Sequence, residues 1–240
     1  MNGAQIFNGL FDKKEELHED LQPYVIAEER LNGVKCLKHP LVYSLFYTDA
    51  ENALLNEQYR VRLAHITKCL ENGNIGGYIF MHEKPFRLVA FKQYIKQKQI
   101  TDKVYWETLR SIWMGSENIW QEMKDWRFLL SSKRKERGCF MDLSDRIVLA
   151  DLPQTVTVYR GHHGVNENGY SYTLDKEKAQ WFADRFGSHK GVRAVKTITV
   201  SKSDIFAYLN SRGEKEVILM DSGKSWRATT KKELFKKTVL

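Results

Sequence analysis

The spacing of apolar residues changes from a helical to an alternating pattern after Leu152 and Pro153, and this change restricts the fold more than any other sequence feature. Before it, apolar side chains recur every three or four residues, the period of an amphipathic helix. After it, residues 155–161 alternate between polar and apolar as a half-buried strand does. The sequence therefore predicts an α+β protein, with a mainly helical region at 1–140 followed by a strand-rich domain at 141–240.

Three helices are predicted in the first region. A Thr-Asp-Ala-Glu capping box at 48–51 precedes a segment with helical spacing that ends at Gly73. Segments that open at Thr101 and at Ser116 carry a stripe of tryptophans, which we interpret as packing core. Short extended segments are expected at 41–47 and 77–81.

The second region is predicted to alternate strands with one helix. A helix opens at Asp175, where an aspartate can cap the first turn, and stops at Gly187. The extended segments are expected at 155–161, 170–173, 192–200 and 216–220.

The cysteine count and the apolar runs indicate the compartment. Cys36, Cys69 and Cys139 are odd in number and form no Cys-x-x-Cys pair, so we expect reduced cysteines rather than a disulfide framework. Nowhere in the sequence does an apolar run approach the roughly 18 residues that span a bilayer. Residues 1–20 lack the basic-then-apolar order of a signal peptide. We therefore expect a cytoplasmic protein with no membrane partner.

The net charge of +8 predicts an anionic partner. Residues 1–30 hold three basic and seven acidic residues, whereas residues 151–240 hold 16 basic and 10 acidic ones. Basic clusters at 133–137 and 231–237 fit either solvated surface segments or contacts with a phosphate backbone.

Polar residues at the ends of predicted strands are the candidates for chemistry. Arg160 shares a strand face with valines, which is unusual for a charged side chain. Glu214 and Glu216 form a Glu-x-Glu pair, and on a strand both carboxylates face the same side. Paired carboxylates suit the cleavage of a glycosidic bond, because they stabilise an oxocarbenium-like centre and accept a proton. The alternative is an exposed edge strand with two solvated glutamates.

Three motifs, taken together, resemble the Arg–Ser–Glu branch of the ADP-ribosyltransferases, the cholera-toxin-like branch. They are Tyr-Arg-Gly at 159–161, Gly-Tyr-Ser-Tyr-Thr at 169–173 ahead of a helix, and Arg-Gly-Glu-Lys-Glu-Val-Ile at 212–218. The similarity covers residues 141–221. The family's triplet, often Ser-Thr-Ser, is Ser-Tyr-Thr here, a variant common among bacterial members.

The resemblance implies a split β-sandwich with NAD+ as co-substrate in the cleft between its sheets. Arg160 would contact the phosphates of NAD+, and the backbone of Gly161 would hold the nicotinamide amide. Ser171 would orient the catalytic Glu216, which stabilises the oxocarbenium as nicotinamide leaves. Glu214 would face the acceptor and position or deprotonate it.

The remaining site residues follow from the same resemblance. Thr173 would support its strand, and Tyr170 and Tyr172 are candidates either to stack on NAD+ or to pack as core aromatics. His162 and His163 fit either a solvated turn or a role near the phosphates or the acceptor. No metal is expected, because the seven histidines show no ligand spacing with cysteines or carboxylates.

Two acceptors compete. The first glutamate of the pair, Glu214, favours a protein arginine, as in the family, whereas the basic charge favours RNA ahead of DNA. The charge argument makes RNA the slightly preferred acceptor. Alternatives are an NAD+ glycohydrolase that uses water, and a module that binds nucleic acid or NAD+ without turnover.

Residues 1–140 are expected to recognise the acceptor or a partner. The resemblance also implies a bacterial or phage toxin or effector with an antitoxin or chaperone.

Overall fold

A computed structural model describes residues 14–29, 32–117, 119–163, 166–185 and 193–220. The expected basic contact at 231–237, the helix stop at Gly187 and the strand start at 192 lie outside these residues. The chain forms two compact units, one made of Met1–Thr101 with Met114–Glu117 and the other of Asp102–Trp113 with Asn118–Leu240. These limits differ from the predicted ranges 1–140 and 141–240, because residues 102–113 and 119–140 belong to the unit that contains the strand-rich part.

The first unit combines a small sheet with helices. Its strands form an antiparallel sheet in the order β1–β2–β3, and its core packs Leu17, Leu21 and Leu37 against Leu55 and Tyr59. The bounds are β1 Val25–Glu28, β2 Val34–Lys38, β3 Tyr43–Ser44, α1 Asn52–Glu71, α2 Ile75–Met81 and α3 Arg87–Gln97.

Two local predictions in the first unit need correction. Residues 77–81, expected to be extended, belong to helix α2, because the side chain of Asn74 accepts a hydrogen bond from the Gly77 N–H and caps its first turn. The extended segment expected at 41–47 is reduced to the two residues of β3. The predicted capping box is confirmed: Thr48 and Glu51 hydrogen-bond reciprocally ahead of α1.

The second unit holds a five-stranded antiparallel sheet in the order β6–β4–β5–β8–β7. Its strands are β4 Thr155–His162, β5 Ser171–Thr173, β6 Ala194–Ser201, β7 Ile205–Leu209 and β8 Glu216–Leu219. Its helices are α4 Asp102–Gly115, of which residues 102–113 belong to this unit, α5 Met123–Leu130, α6 Leu143–Asp151 and α7 Lys176–Asp184.

Two apolar clusters cover the sheet of the second unit. One packs Val156, Val158 and Tyr172 with residues of β6, β7 and β8, and Leu149 of α6 lies against it. The other packs Ala179 and Ala183 of α7 against β4 and β6. Burying such side chains stabilises the fold by about 1.5–3 kcal/mol each.

The tryptophan stripe is packing core, as predicted. Trp106, Trp113 and Trp126 are fully buried with Phe140. Their rings meet edge to face, with 4.9 Å between the centroids of Trp113 and Trp126.

Strands in both units are antiparallel, and the protein is a mixed α and β structure, as the α+β prediction requires. Among the described residues, none of the helices combines the length and the apolar character that crossing a membrane demands.

Candidate functional site

The sheet of the second unit is almost divided between β4 and β5. In the described part of the chain these strands pair at a single position, Tyr159 with Thr173, whereas β4 pairs with β6 over its full length. The sheet therefore consists of a β6–β4 half and a β5–β8–β7 half that are joined at one residue pair.

A cleft of about 160 Å³ opens at this division. Side chains from both halves line it, because the register places Tyr159, Thr173 and Glu216 side by side on three adjacent strands. Cross-strand neighbours point to the same face of a sheet. The lining residues are Tyr159, Arg160, Gly161, His163, Asn166, Ser171, Tyr172, Thr173, Phe182, Glu214 and Glu216.

Glu216, the first residue of β8, is a carboxylate at the edge of the core and is only 3% exposed. Its Oε1 accepts hydrogen bonds from the Ser171 hydroxyl at 2.5 Å and from the Trp113 indole N–H at 3.1 Å. Arg212 donates to its Oε2 at 3.4 Å. Burial raises the pKa of Glu216, while the bonds from Ser171 and Trp113 and the charge of Arg212 oppose that rise.

A turn brings Glu214 to the same place. Gly213 and Lys215 both have positive φ, at 65° and 45°. The Asn210 side chain accepts from the Lys215 N–H at 3.0 Å, and the Thr173 hydroxyl donates to the Glu214 carbonyl at 2.7 Å. Thr173 therefore supports the turn as well as its own strand.

The two carboxylates of the Glu-x-Glu pair converge on one guanidinium. Arg212 Nη2 lies 2.9 Å from Glu214 Oε2 and 3.4 Å from Glu216 Oε2. Strand alternation, the reason expected from the sequence, does not produce this convergence. The strand begins only at Glu216, and the left-handed residue Lys215 redirects the chain before it.

Arg160 bridges the two halves of the sheet. Its Nε and Nη2 donate to the Asn166 carbonyl at 2.9 and 2.7 Å, and its Nη1 donates to the Ser171 carbonyl. A Cβ at Gly169 would lie 2.2 Å from Arg160 Nη2, so a side chain at this position would displace the guanidinium. Burial lowers the pKa of Arg160, against the influence of Tyr172 and Glu216.

The backbone at Gly161 lies close to helix α7, whereas the resemblance implies that it lies close to the nicotinamide amide. A Cβ at this position would lie 2.0 Å from the Ala179 carbonyl oxygen and 2.6 Å from the Ala183 nitrogen. The missing side chain therefore sets the distance between β4 and α7, and Gly161 also lines the cleft.

The two tyrosines differ in position. Tyr172 lines the cleft and packs into the apolar cluster of the sheet. Tyr170 is buried outside the cleft lining, and its hydroxyl donates to the Met123 carbonyl at 3.4 Å. Of the histidines, His163 lines the cleft, whereas His162 is a buried residue of β4 and burial lowers its pKa.

The structure thus brings together seven of the eight predicted site residues, namely Arg160, Gly161, Ser171, Tyr172, Thr173, Glu214 and Glu216. Residues that were not assigned to the site from the sequence include Trp113, Arg212 and Asn166. Trp113 lies in a stripe that reads as core, and Asn166 lies in a polar turn, so neither residue carried a local signal of a site role.

This arrangement suits the stabilisation of a positive charge. A largely buried carboxylate, with neutral donors on Oε1 and Arg212 on Oε2, interacts with a developing cation more strongly than it would in water. Within the described ranges, no group of three or more His, Cys, Asp or Glu side chains is placed to hold a metal ion. Comparisons of the chain with protein-family models, with curated proteins and with solved structures found no match.

Proposed function

We propose that the protein is an NAD+-dependent ADP-ribosyltransferase, which moves ADP-ribose from NAD+ to a macromolecular acceptor and releases nicotinamide. The observation that carries the proposal is the buried Glu216 carboxylate, which accepts a hydrogen bond from Ser171 in a cleft that also contains Arg160. The resemblance of the motifs at 159–161, 169–173 and 212–218 to those of ADP-ribosyltransferases is the second support.

The proposed reaction breaks the bond between C1 of the ribose and the ring nitrogen of nicotinamide, and the bonding electron pair leaves with nicotinamide. Positive charge develops on the ribose, and the Glu216 carboxylate stabilises it mainly in the transition state. A nucleophilic atom of the acceptor then bonds to C1. Its proton passes to Glu214, which lies beside Glu216 on the same guanidinium.

The size of the cleft bears on how NAD+ would lie. At about 160 Å³ it is smaller than most ligand pockets, which measure roughly 300–1,000 Å³. We therefore place the nicotinamide ribose in the cleft and the rest of the dinucleotide outside it. Three of the five N–H bonds of Arg160 point to carbonyls of described residues, and we assign the other two to a phosphate oxygen.

The fold assignment belongs to the same proposal. A sheet whose halves share one strand pair among the described residues, Tyr159 with Thr173, and have a cleft at the division is consistent with the split β-sandwich that the resemblance implies.

RNA is the acceptor that the net charge of +8 favours, because phosphate neutralisation supplies most non-specific affinity for nucleic acid. A protein arginine is the second candidate, and one contact favours it. Arg212 Nη2 already lies 2.9 Å from Glu214 Oε2, so the carboxylate proposed to face the acceptor accommodates a guanidinium.

The test is incubation with adenine-labelled NAD+ and a cell lysate, followed by separate digestion with nuclease and with protease. We expect label in macromolecular material that nuclease removes. Removal by protease alone would assign the acceptor to protein. Nicotinamide release without any labelled product would indicate a glycohydrolase.

The matched variants are Glu216→Gln and Glu177→Gln, which make the same chemical change in the cleft and on the exposed surface of α7. We expect the first to lose labelling by at least about a hundredfold, as for the loss of a transition-state contact, and the second to retain it. Labelling that is unaffected by Glu216→Gln rejects the assignment. RNA binding without NAD+ consumption would point to a binding module.

A further inference from the structure

A residue outside the three motifs reaches the proposed catalytic carboxylate. Trp113 of α4 donates its indole N–H to Glu216 Oε1 at 3.1 Å across 103 residues of sequence. Ser171 donates to the same oxygen at 2.5 Å. The segment that carries Trp113 lies outside residues 141–221, over which the motifs are found.

The ring of Trp113 is held rigidly by its surroundings. It is fully buried, and it packs edge to face on Trp126 at 4.9 Å and against Phe140 at 6.4 Å between ring centroids. An indole N–H donates and never accepts, whereas a serine hydroxyl rotates and does both. Trp113 therefore constrains Oε1 to be an acceptor in a way that Ser171 alone does not.

The two donors on Oε1 of Glu216 determine which contacts its other carboxylate oxygen, Oε2, makes. With Oε1 engaged by Ser171 and Trp113, Oε2 is the oxygen that contacts Arg212. We propose that Trp113 is a positioning residue for Glu216, which fixes the orientation of the carboxylate so that Oε2 faces the reacting ribose. This inference rests on the proposed function.

The charged groups near Glu216 have to be considered together in any pH measurement. Arg212 and Glu214 come from the turn before β8, and Arg160 comes from β4. Arg212 favours the ionised carboxylate and Glu214 opposes it. None of these groups is altered when Trp113 is replaced by phenylalanine.

Trp126 supplies a matched control. It is fully buried in the same aromatic cluster, and its indole nitrogen has no hydrogen-bond partner among the described residues. Trp113→Phe and Trp126→Phe therefore make the same change in ring size, but only the first removes a hydrogen bond to Glu216.

The experiment measures NAD+ turnover against pH for the full chain, for both phenylalanine variants and for Glu216→Gln. We expect Trp113→Phe to lower kcat by about tenfold or more, the loss typical of a hydrogen bond to a charged group, with little change in KM for NAD+. The acidic limb of the pH profile of Trp113→Phe should move to higher pH, because the hydrogen bond that this variant loses favours the ionised carboxylate of Glu216. Trp126→Phe should keep the wild-type pH profile.

Equal losses in the two phenylalanine variants, or an unchanged pH profile in Trp113→Phe, would overturn the positioning role. A second readout does not depend on turnover: the indole ¹H–¹⁵N signal that Trp113→Phe removes should shift with pH as Glu216 titrates, and should stop shifting in Glu216→Gln. If the indole signal does not shift as Glu216 titrates, the inference is rejected. If NAD+ turnover is unchanged in Glu216→Gln, the proposed function is rejected.

Discussion

At the scale of a single residue, the buried charge of Glu216 that the proposed function requires lowers the stability of the fold. The carboxylate is 3% exposed, and its pKa is raised by burial above the usual value for glutamate. A group whose pKa is higher in the folded state stabilises the fold below the unfolded pKa, and that contribution is lost as pH rises through the folded pKa. Once ionised, the Glu216 carboxylate therefore lowers the stability of the folded state.

Removing the charge of Glu216 should increase the free energy of unfolding. We expect Glu216→Gln to have a higher free energy of unfolding than the wild type at pH 7, with the difference shrinking at pH 4, where the wild-type carboxyl is mostly protonated in both states. Urea unfolding at the two pH values measures it. The surface variant Glu177→Gln should differ little from the wild type, and a Glu216→Gln protein less stable at pH 7 would contradict the expectation.

The pH dependence of activity follows from the same group. Because Glu216 has to be ionised to stabilise a cation and its pKa is raised by burial, the acidic limb of kcat/KM for NAD+ should lie above the usual range of a glutamate. Ser171→Ala removes the hydrogen bond that most opposes the rise in the pKa of Glu216, so the acidic limb of kcat/KM should move to still higher pH. A limb at the ordinary pKa of a glutamate in both proteins would show that Glu216 is not the titrating group.

At the scale of elements, the contact between β4 and α7 depends on the absence of a side chain at Gly161. We expect Gly161→Ala to lower the free energy of unfolding by about 3 kcal/mol, because the new methyl group meets backbone atoms of α7 at 2.0 and 2.6 Å. Chemical denaturation measures the loss. Gly138→Ala in the same unit is the control, since its nearest neighbour would lie 3.6 Å away, and it should change stability by less than about 0.5 kcal/mol.

Elements with a strong local signal were predictable from the sequence. The capping box at 48–51, the strand at 155–161 and the helix that Asp175 opens are each confirmed. Strands β1 and β2 were missed because they are short and have exposed apolar side chains, so alternation is weak. Helix α2 was missed because Gly76 and Gly77 have low helix propensity, which the Asn74 cap offsets.

The site was predictable as far as its residues lie in short motifs. Arg160, Ser171 and Glu216 follow from the resemblance of the three motifs to those of ADP-ribosyltransferases. Trp113 lies outside the motifs on an apolar stripe, and Arg212, although it begins the motif at 212–218, was given no role, because an arginine in a turn has an ordinary structural role. Their part in the site arises from contacts that span 103 residues and from a left-handed turn, and neither is encoded in a local pattern.

For the whole molecule, the net charge of +8 makes salt a probe of the acceptor. If RNA is modified, labelling should fall by about tenfold between 50 and 200 mM KCl, the loss expected when roughly two phosphates are neutralised. NAD+ cleavage in the absence of acceptor should change by less than about twofold. Labelling that resists both salt and nuclease would point instead to a protein acceptor.

The distance along the chain between Trp113 and Glu216 has a consequence for biosynthesis. Ribosomes make the chain from the N-terminus, so helix α4 can emerge and pack long before β8 exists. The carboxylate enters its site only when the strand that begins at Glu216 pairs with β5, a contact that closes a loop of more than 40 residues to Ser171. An unfinished chain that ends before β8 contains Trp113 and Ser171 but lacks Glu216, so under the proposed function it would not cleave NAD+.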